Sequence, residues 1–201
     1  VADRWSRRVT AVVAGAGFGK SGLLVEALGA NRAAPLGVDA WVGCQDEDVR
    51  LDRFFEALFT AVRGAPPLDL PIDLDDAVHR LADAVWSHAP LPVSIVVDDV
   101  HRLTEASAGA SLLDALVRRL PATANFVVTS RVGLPFSIAR LRSTGEAIVL
   151  TEADLVMTAD ELREFAAHRG QPGLDLKATG GWPALAELAQ DRLPPLLRAP
   201  Q

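Results

Sequence analysis

One segment constrains the fold of this chain more than any other. A run of small and β-branched residues, Val9–Ala14, is followed at once by alternating glycines, Gly15, Gly17 and Gly19. Glycine lets the main chain turn tightly and aim successive N–H groups inward, and the N-terminus of a following helix adds positive potential at the same point. The pattern therefore predicts a buried strand, a phosphate-binding loop and a helix, in that order.

The two residues after the glycines, Lys20 and Ser21, have the chemistry that a bound nucleotide requires. A lysine in the first turn of a helix opposes the helix dipole unless an anion offsets its charge, which disfavours an ordinary strand-to-helix turn. Lys20 is predicted to reach the β- and γ-phosphates, and Ser21 is predicted to ligate Mg²⁺. The predicted nucleotide-binding residues of this segment are Ala14, Gly15, Ala16, Gly17, Phe18, Gly19, Lys20, Ser21 and Gly22.

A second apolar run, Val93–Val97, ends in two carboxylates, Asp98 and Asp99. Ligands of open parallel sheets bind at the carboxyl ends of the strands, so we predict that Asp98 binds Mg²⁺ and that Asp99 orients or deprotonates an attacking water. Alone the pair is a weak signal, because aspartate also begins turns. His101 nearby is a possible phosphate contact, although a loop histidine is more often solvated.

A third run, Asn125–Thr129, leads through Ser130 to Arg131. If its strand lies beside the strand that carries the glycine loop, Arg131 faces the γ-phosphate and can report its loss. The alternative is an ordinary surface arginine.

Short apolar runs alternate with helical patterns along the first three quarters of the chain, which predicts an α/β fold with a parallel sheet covered by helices. The predicted strands are Val9–Ala14, Val38–Val42, Val93–Val97, Asn125–Thr129 and Ala147–Leu150. Helical spacing of apolar residues covers 51–62, 74–86 and 112–120. The acidic residues Asp73, Asp75 and Asp76 are expected to stabilise a helix N-terminus rather than bind a metal.

From about residue 151 the strand pattern gives way to helix. Thr158 and Glu161 form a predicted capping box for a helix that ends at His168, and Pro183 suits the first turn of another. We therefore expect a nucleotide-binding domain over 1–150 and a small helical appendage over 151–201. Because Val1 is not an initiator methionine, we also expect a piece of a longer protein.

The net charge and the cysteine content limit the binding partners and the compartment that we expect for this chain. The formal net charge of −6 leaves no broad basic surface, so this segment is not expected to bind DNA directly. The single cysteine, Cys44, excludes a disulfide framework and favours a reducing compartment, and we expect the cytoplasm. The sequence contains no apolar run long enough for a membrane span, and residues 1–8 are not expected to form a signal peptide.

Together these motifs resemble the nucleotide-binding domain of the STAND ATPases, in particular the large MalT-like LuxR-type and SARP-type transcriptional activators of bacteria. Residues 14–21 resemble the family's Ala-x-Ala-Gly-[Tyr/Phe]-Gly-Lys-[Ser/Thr] loop, and residues 96–101 its Asp-Asp-x-His segment. Residues 129–131 resemble its sensor and residues 180–183 its Gly-Trp-Pro turn. The resemblance covers nearly the whole chain.

The resemblance implies a three-layer P-loop NTPase sheet, with strands ordered 5-1-4-3-2, followed by a helical lid that brings Pro183 near the adenine. It implies an ATP/ADP switch with slow Mg²⁺-dependent hydrolysis, in which Lys20, Asp99 and Arg131 are the catalytic residues. It also implies self-association of the full-length protein, and DNA binding only through a domain outside this sequence. Gly22 departs from the family, which usually has a residue with a side chain there.

Two other functions fit the same motifs. A P-loop small-molecule kinase would need an acceptor pocket and arginines clustered over the phosphates, and residues 151–201 contain no such cluster. A binding-only pseudo-ATPase would keep Lys20 and Asp98 but hydrolyse nothing. A single-turnover ATP assay separates the last possibility from a slow ATPase.

Overall fold

A five-stranded parallel sheet runs through the centre of the chain in the computed structural model, which describes residues 2–168, 170 and 179–191. The strands are β1 (Val9–Val13), β2 (Val38–Gly43), β3 (Val93–Asp98), β4 (Ala124–Ser130) and β5 (Ala147–Thr151). Their order is β2-β3-β4-β1-β5, which is 5-1-4-3-2 when read from the other edge. The predicted α/β fold class is confirmed, and each strand boundary lies within one residue of its prediction.

Eight α-helices lie in the described part of the chain. They are α1 (Lys20–Ala33), α2 (Leu51–Arg63), α3 (Leu74–Trp86), α4 (Ala108–Arg119), α5 (Ala139–Ser143), α6 (Glu152–Leu155), α7 (Ala159–His168) and α8 (Pro183–Asp191). None of the helices in the described ranges is long and apolar enough to span a membrane.

The sheet is covered differently on its two faces, because alternate residues of each strand point in opposite directions. On one face α1 packs through Leu24 against Val96 and Val127. On the other face α2, α3 and α4 cover the neighbouring strand residues, including Val97 and Phe126, and form the main core. The chain therefore has the three layers expected of this fold class.

Two helix starts follow the sequence prediction closely. Asp73 caps α3, where its side chain accepts a hydrogen bond from the Asp76 N–H at 2.9 Å. At the start of α7, the Thr158 N–H donates to Glu161 and the Glu161 N–H donates back to the Thr158 hydroxyl. Asp73 therefore caps α3 with Asp75 and Asp76 in its first turn, as expected, and the capping box of α7 is confirmed.

Candidate nucleotide-binding site

The glycine-rich loop, residues 14–19, connects β1 to α1. Gly17 and Gly19 have φ angles of 79° and 73°, in the left-handed region that other L residues rarely adopt. The loop is tied to the sheet where the Ala14 N–H donates to the carbonyl oxygen of Ser130 at 3.1 Å. The glycine spacing therefore produces a tight turn at the carboxyl end of β1.

Lys20 is only 7% exposed and has no carboxylate within ion-pair distance in the part of the chain that the structure describes. Its Nζ atom donates to the carbonyl oxygens of Ala14 and Gly15, both at 2.7 Å. Burial lowers the pKa of Lys20, while the negative charge of Asp99 works in the opposite direction. A buried ammonium group held by carbonyl oxygens alone fits a phosphate, whose charge would replace the lost hydration.

A cavity of about 200 Å³ lies between the loop and the ends of β3 and β4. The residues that line it are Ala16, Gly17, Gly19, Lys20, Ser21, Gly22, Asp99 and Arg131. All of them were singled out from the sequence, and the topology explains why they meet. Because β4 lies between β1 and β3, the residues that follow these three strands reach the same edge of the sheet.

Ser21 and Asp98 are polar residues in contact with each other at this edge of the sheet. The Ser21 hydroxyl donates to Asp98 Oδ2 at 2.9 Å, and the Thr129 hydroxyl donates to Asp98 Oδ1. Hydroxyl and carboxylate oxygens are the ligands that Mg²⁺ prefers. The described residues contain no cluster of three or more histidine, cysteine or acidic side chains that could hold a metal. These two side chains therefore fit an ion that keeps most of its ligands as water and phosphate oxygens.

Asp99 is surrounded by two basic side chains. Its Oδ1 atom lies 3.9 Å from Arg131 Nε and 3.6 Å from His101 Nδ1. The histidine side chain is 20% exposed, and its Nδ1 atom is buried without a hydrogen-bond partner among the described residues. His101 is therefore partly buried at the edge of the cavity rather than fully solvated. Burial lowers the pKa of His101, which favours its neutral form.

The start of α8 packs against the outer side of the loop. The Ala184 N–H donates to the Gly17 carbonyl oxygen at 3.1 Å, and the rings of Trp182 and Phe18 stack with their centres 6.2 Å apart. A Cβ atom on Gly17 would lie 2.7 Å from the Cβ of Ala184, so only glycine permits this approach. Pro183, predicted to lie near the adenine, begins α8 between these contacts.

The loop has a second outer contact with the segment after β5. The Gly15 N–H donates to Glu152 Oε1 at 2.9 Å, and Glu152 is the first residue of α6. The Met157 N–H donates to the Gly181 carbonyl oxygen at 2.9 Å, which joins the region after α6 to the turn before α8. Sequence reasoning missed Glu152, since a glutamate at a helix start is ordinarily explained by the helix dipole.

Cys44 lies behind the site, directly after β2, where its N–H donates to the Asp98 carbonyl oxygen at 2.9 Å. Its side chain is 2% exposed. Burial raises the pKa of the Cys44 thiol to about 12, and the charge of Asp48 adds to the effect. The thiol therefore stays protonated at neutral pH and contributes packing rather than chemistry.

Comparison with solved structures places the chain in a known fold. The ORC1 protein of Aeropyrum pernix, solved in complex with DNA, matches with a TM-score of 0.60 at 19% identity, over 92% of this chain and 55% of that one. Cdc6p from Pyrobaculum aerophilum matches at 0.54 and 13% identity, over 91% of this chain and 56% of that one. The ORC2 protein of Aeropyrum pernix, solved as ADPNP-ADP complexes, matches at 0.53 and 17% identity, over 91% and 54%. At these identities the likeness is one of fold, the α/β fold of P-loop ATPases.

The comparison of sequences gives one curated relative of note. The HTH-type transcriptional regulator AlkS of Alcanivorax borkumensis is 30% identical over 129 residues, which are 63% of this chain and 14% of the regulator. The chain therefore spans a small part of that protein's length. No protein-family model matches the chain.

Proposed function

We propose that this chain is an ATP/ADP switch module of a bacterial transcriptional regulator, and that its nucleotide state controls self-assembly of the full-length protein. In this proposal, the domain of residues 1–150 binds nucleotide with Mg²⁺, and a helical lid begins in residues 151–201. Another domain of the full-length protein binds DNA, and the protein is located in the cytoplasm. The similarity to the regulator AlkS supports the biological role.

One observation carries the proposal: α8 contacts the outside of the same loop whose inside lines the cavity. The hydrogen bond from Ala184 to Gly17 joins the lid to a residue that also faces the cavity. A ligand shifts a conformational equilibrium only if it interacts differently with the two conformations. A loop shared by the ligand and the lid provides such a difference.

The geometry of the cavity supports a role for each of its polar residues. Bound ATP and Mg²⁺ would supply the transferable phosphoryl group and neutralise its developing charge. The loop N–H groups and Lys20 bind phosphate oxygens, while Ser21 and Asp98 provide oxygens on the metal side. Asp99 accepts a proton from the attacking water, and Arg131 contacts the γ-phosphate.

A nucleotide titration tests the proposal. ATP, ADP and GTP are titrated into the chain by calorimetry, with and without Mg²⁺, and amide hydrogen exchange over 152–191 is measured in each state. We expect ATP and ADP to bind and to protect this region to different extents. Absence of ATP and ADP binding would refute the proposal, and equal protection by both would refute the switch. Binding with a silent single-turnover assay would instead favour a pseudo-ATPase.

The kinase alternative receives no support from the region after β5. Arg163, in α7, forms an ion pair with Asp160 on its own helix. No arginine from the described residues of 152–191 lines the cavity. The described residues of this region therefore do not place arginines over the cavity in the way that a kinase lid would.

A further inference from the structure

A second cavity, of about 570 Å³, lies at the end of the sheet opposite to the nucleotide cavity. Its lining includes Arg8, Pro92 and Asn125, at the amino ends of β1, β3 and β4, and parts of α4 and α5 complete its walls. The parallel strands are five to seven residues long and rise about 3.3 Å per residue, so they separate the two cavities by roughly 15–20 Å. We call this second site the amino-end cavity.

Positive charge predominates in the lining of the amino-end cavity. Four of its lining residues are arginines, namely Arg7, Arg8, Arg118 and Arg140, and its acidic residue is Glu146. Arg118 is offset by Asp114, with which it forms an ion pair at 2.8 Å. The other three arginines have no carboxylate within ion-pair distance among the residues that the structure describes. The excess of positive charge favours an anionic ligand.

Two of these arginines differ in what they can offer to an anion. The Arg8 guanidinium donates five hydrogen bonds to main-chain carbonyl oxygens, which uses all five of its N–H groups. The Arg140 side chain, on α5, is exposed and makes no hydrogen bond to the described part of the chain. An anion in the cavity can therefore bind the Arg140 guanidinium directly, while Arg8 contributes its charge at longer range.

Asn125 is a buried polar residue of the lining that lacks a partner. Its side chain is 5% exposed, and its Oδ1 atom is buried without a hydrogen-bond partner among the described residues. Ser94, which is paired with Asn125 in the register of β3 and β4, has a buried hydroxyl that is also unpaired. An unpaired buried amide is costly, and its rotation presents either an acceptor or a donor to the cavity. A bound molecule would supply the missing partner.

The rest of the wall is largely apolar. Trp5, Pro92, Val117, Leu120 and Leu141 all line the cavity. Sites for small molecules are typically apolar clefts of about 300–1,000 Å³ in which a few polar groups fix the orientation of the ligand. The volume and the lining of the amino-end cavity match that description.

We propose that the amino-end cavity binds a small organic anion with an apolar body, such as an aryl or alkyl carboxylate. The anionic group binds Arg140, the apolar body packs against the ring of Trp5 and the aliphatic side chains, and the amide of Asn125 pairs with a polar atom of the ligand. This site is independent of the proposed nucleotide switch, because it uses no residue of the phosphate-binding loop.

The test uses 4-phenylbutyrate as the probe. Its controls are 4-phenylbutan-1-ol, which has the apolar body without the charge, and acetate, which has the charge without the body. Binding is followed by NMR at the indole N–H of Trp5 and the main-chain amide of Asn125. A probe of about twelve non-hydrogen atoms is expected to bind with a dissociation constant of about 2 mM, and both controls about tenfold more weakly or less.

Two variants assign the contacts. Arg140→Gln removes the charge at an exposed position and should weaken binding of the probe about three- to tenfold, whereas Arg142→Gln, on the same helix but outside the lining, should bind like the parent. Asn125→Leu should weaken binding by a similar factor and raise the urea midpoint of unfolding, because it removes an unpaired buried amide. Lower affinity together with higher stability distinguishes a binding residue from a structural one.

The proposal is wrong if the probe does not bind, if the alcohol binds as tightly as the carboxylate, or if Arg140→Gln and Arg142→Gln have equal affinity. Shifts at Gly19 in place of Trp5 and Asn125 would assign the probe to the nucleotide cavity and would also overturn the proposal. Should Asn125→Leu not fold, the comparison of the two exposed arginine variants decides.

Discussion

Lys20 is the residue at which burial and charge conflict most directly. Its ammonium group is nearly excluded from water, at a helix N-terminus whose dipole repels positive charge. Two carbonyl oxygens of the loop compensate in part. An anion in the cavity would resolve the conflict, and we therefore propose that Lys20 is a binding residue rather than a structural one.

Replacing Lys20 by alanine should therefore weaken nucleotide binding and leave the sheet folded. Charge-assisted hydrogen bonds contribute about 1.5–3 kcal/mol, so we expect ATP affinity to fall about ten- to a hundredfold in calorimetric titration. Arg32→Ala, an exposed change at the other end of α1, is the control and should bind like the parent. Unchanged ATP affinity in Lys20→Ala would contradict the assignment of the loop.

Substitutions of the two neighbouring carboxylates, Asp98 and Asp99, should have different effects on nucleotide binding and on hydrolysis. Asp98→Asn removes a metal-side charge, so we expect ATP affinity to depend less on Mg²⁺. Asp99→Asn should preserve binding and slow hydrolysis about a hundredfold or more, because a carboxamide cannot accept the proton. Titrations at several Mg²⁺ concentrations and single-turnover assays measure the two effects. Hydrolysis at the parental rate in both variants would refute this division of roles.

The sequence predicted every residue of the cavity lining, because each of them follows an apolar strand or belongs to the glycine turn and the start of the helix after it. Lys20, Asp99 and Arg131 are found in this way. The contacts of Thr129 and Glu152 could not be found in the same way, since they depend on hydrogen bonds across strands or to a loop amide. Such bonds are set by register and side-chain rotamer, which the pattern of residue types does not encode.

At the scale of secondary-structure elements, one arginine ties β1 to the end of α4. The Arg8 guanidinium, just before β1, donates hydrogen bonds to five main-chain carbonyl oxygens, those of Leu116, Val117, Leu120, Pro121 and Ala124. A positive charge at a helix C-terminus is favourable, and these carbonyls have few other donors available. Arg8 thus closes α4 where Pro121 ends it.

Arg8→Met, which retains the apolar stem, should lower the free energy of unfolding by about 2–4 kcal/mol, because several partly buried carbonyls lose a charged donor. Urea unfolding followed by circular dichroism measures the change. Arg7→Met is the control, since Arg7 makes one exposed hydrogen bond, to Gly145, and should cost about 0.5 kcal/mol or less. Equal losses in the two variants would show that the cap is not what stabilises α4.

Strands and amphipathic helices were the most predictable elements. β-branched runs identified all five strands, and the spacing of apolar residues identified α2 and α3, each of which buries one face. The short helices α5 and α6 were missed, because neither buries a residue and neither is long enough for periodicity to appear. Their formation depends on capping and on neighbouring loops rather than on a buried stripe.

At the scale of the whole molecule, Arg131, the proposed γ-phosphate sensor, does not lie at the contacts between the loop and the proposed lid. Arg131 lies on the cavity beside Asp99, whereas α6 and the start of α8 contact the loop at Gly15, Gly17 and Phe18. In the proposed switch, communication between Arg131 and the lid would therefore pass through the nucleotide and the loop.

Arg131→Ala should consequently leave ADP affinity nearly unchanged and reduce the difference between ATP and ADP in hydrogen-exchange protection of 152–191. The physical reason is that only a group contacting the γ-phosphate can distinguish the two nucleotides. Val132→Ala, an exposed change one residue away, is the control. Equal loss of both nucleotides would make Arg131 a structural residue, and an unaltered difference would assign the sensor elsewhere, with His101 the next residue to test.

Because its native cysteine is buried, the chain can be labelled at introduced cysteines without a reaction at the native one. Maleimides react with thiolates, and the sole native thiol, at Cys44, is shielded from solvent with a pKa of about 12. Cysteines introduced at exposed positions, such as Leu188→Cys on α8 and Arg118→Cys on α4, would therefore carry spin labels without removing Cys44. The distance between the two labels in each nucleotide state would then measure the displacement of α8 in solution.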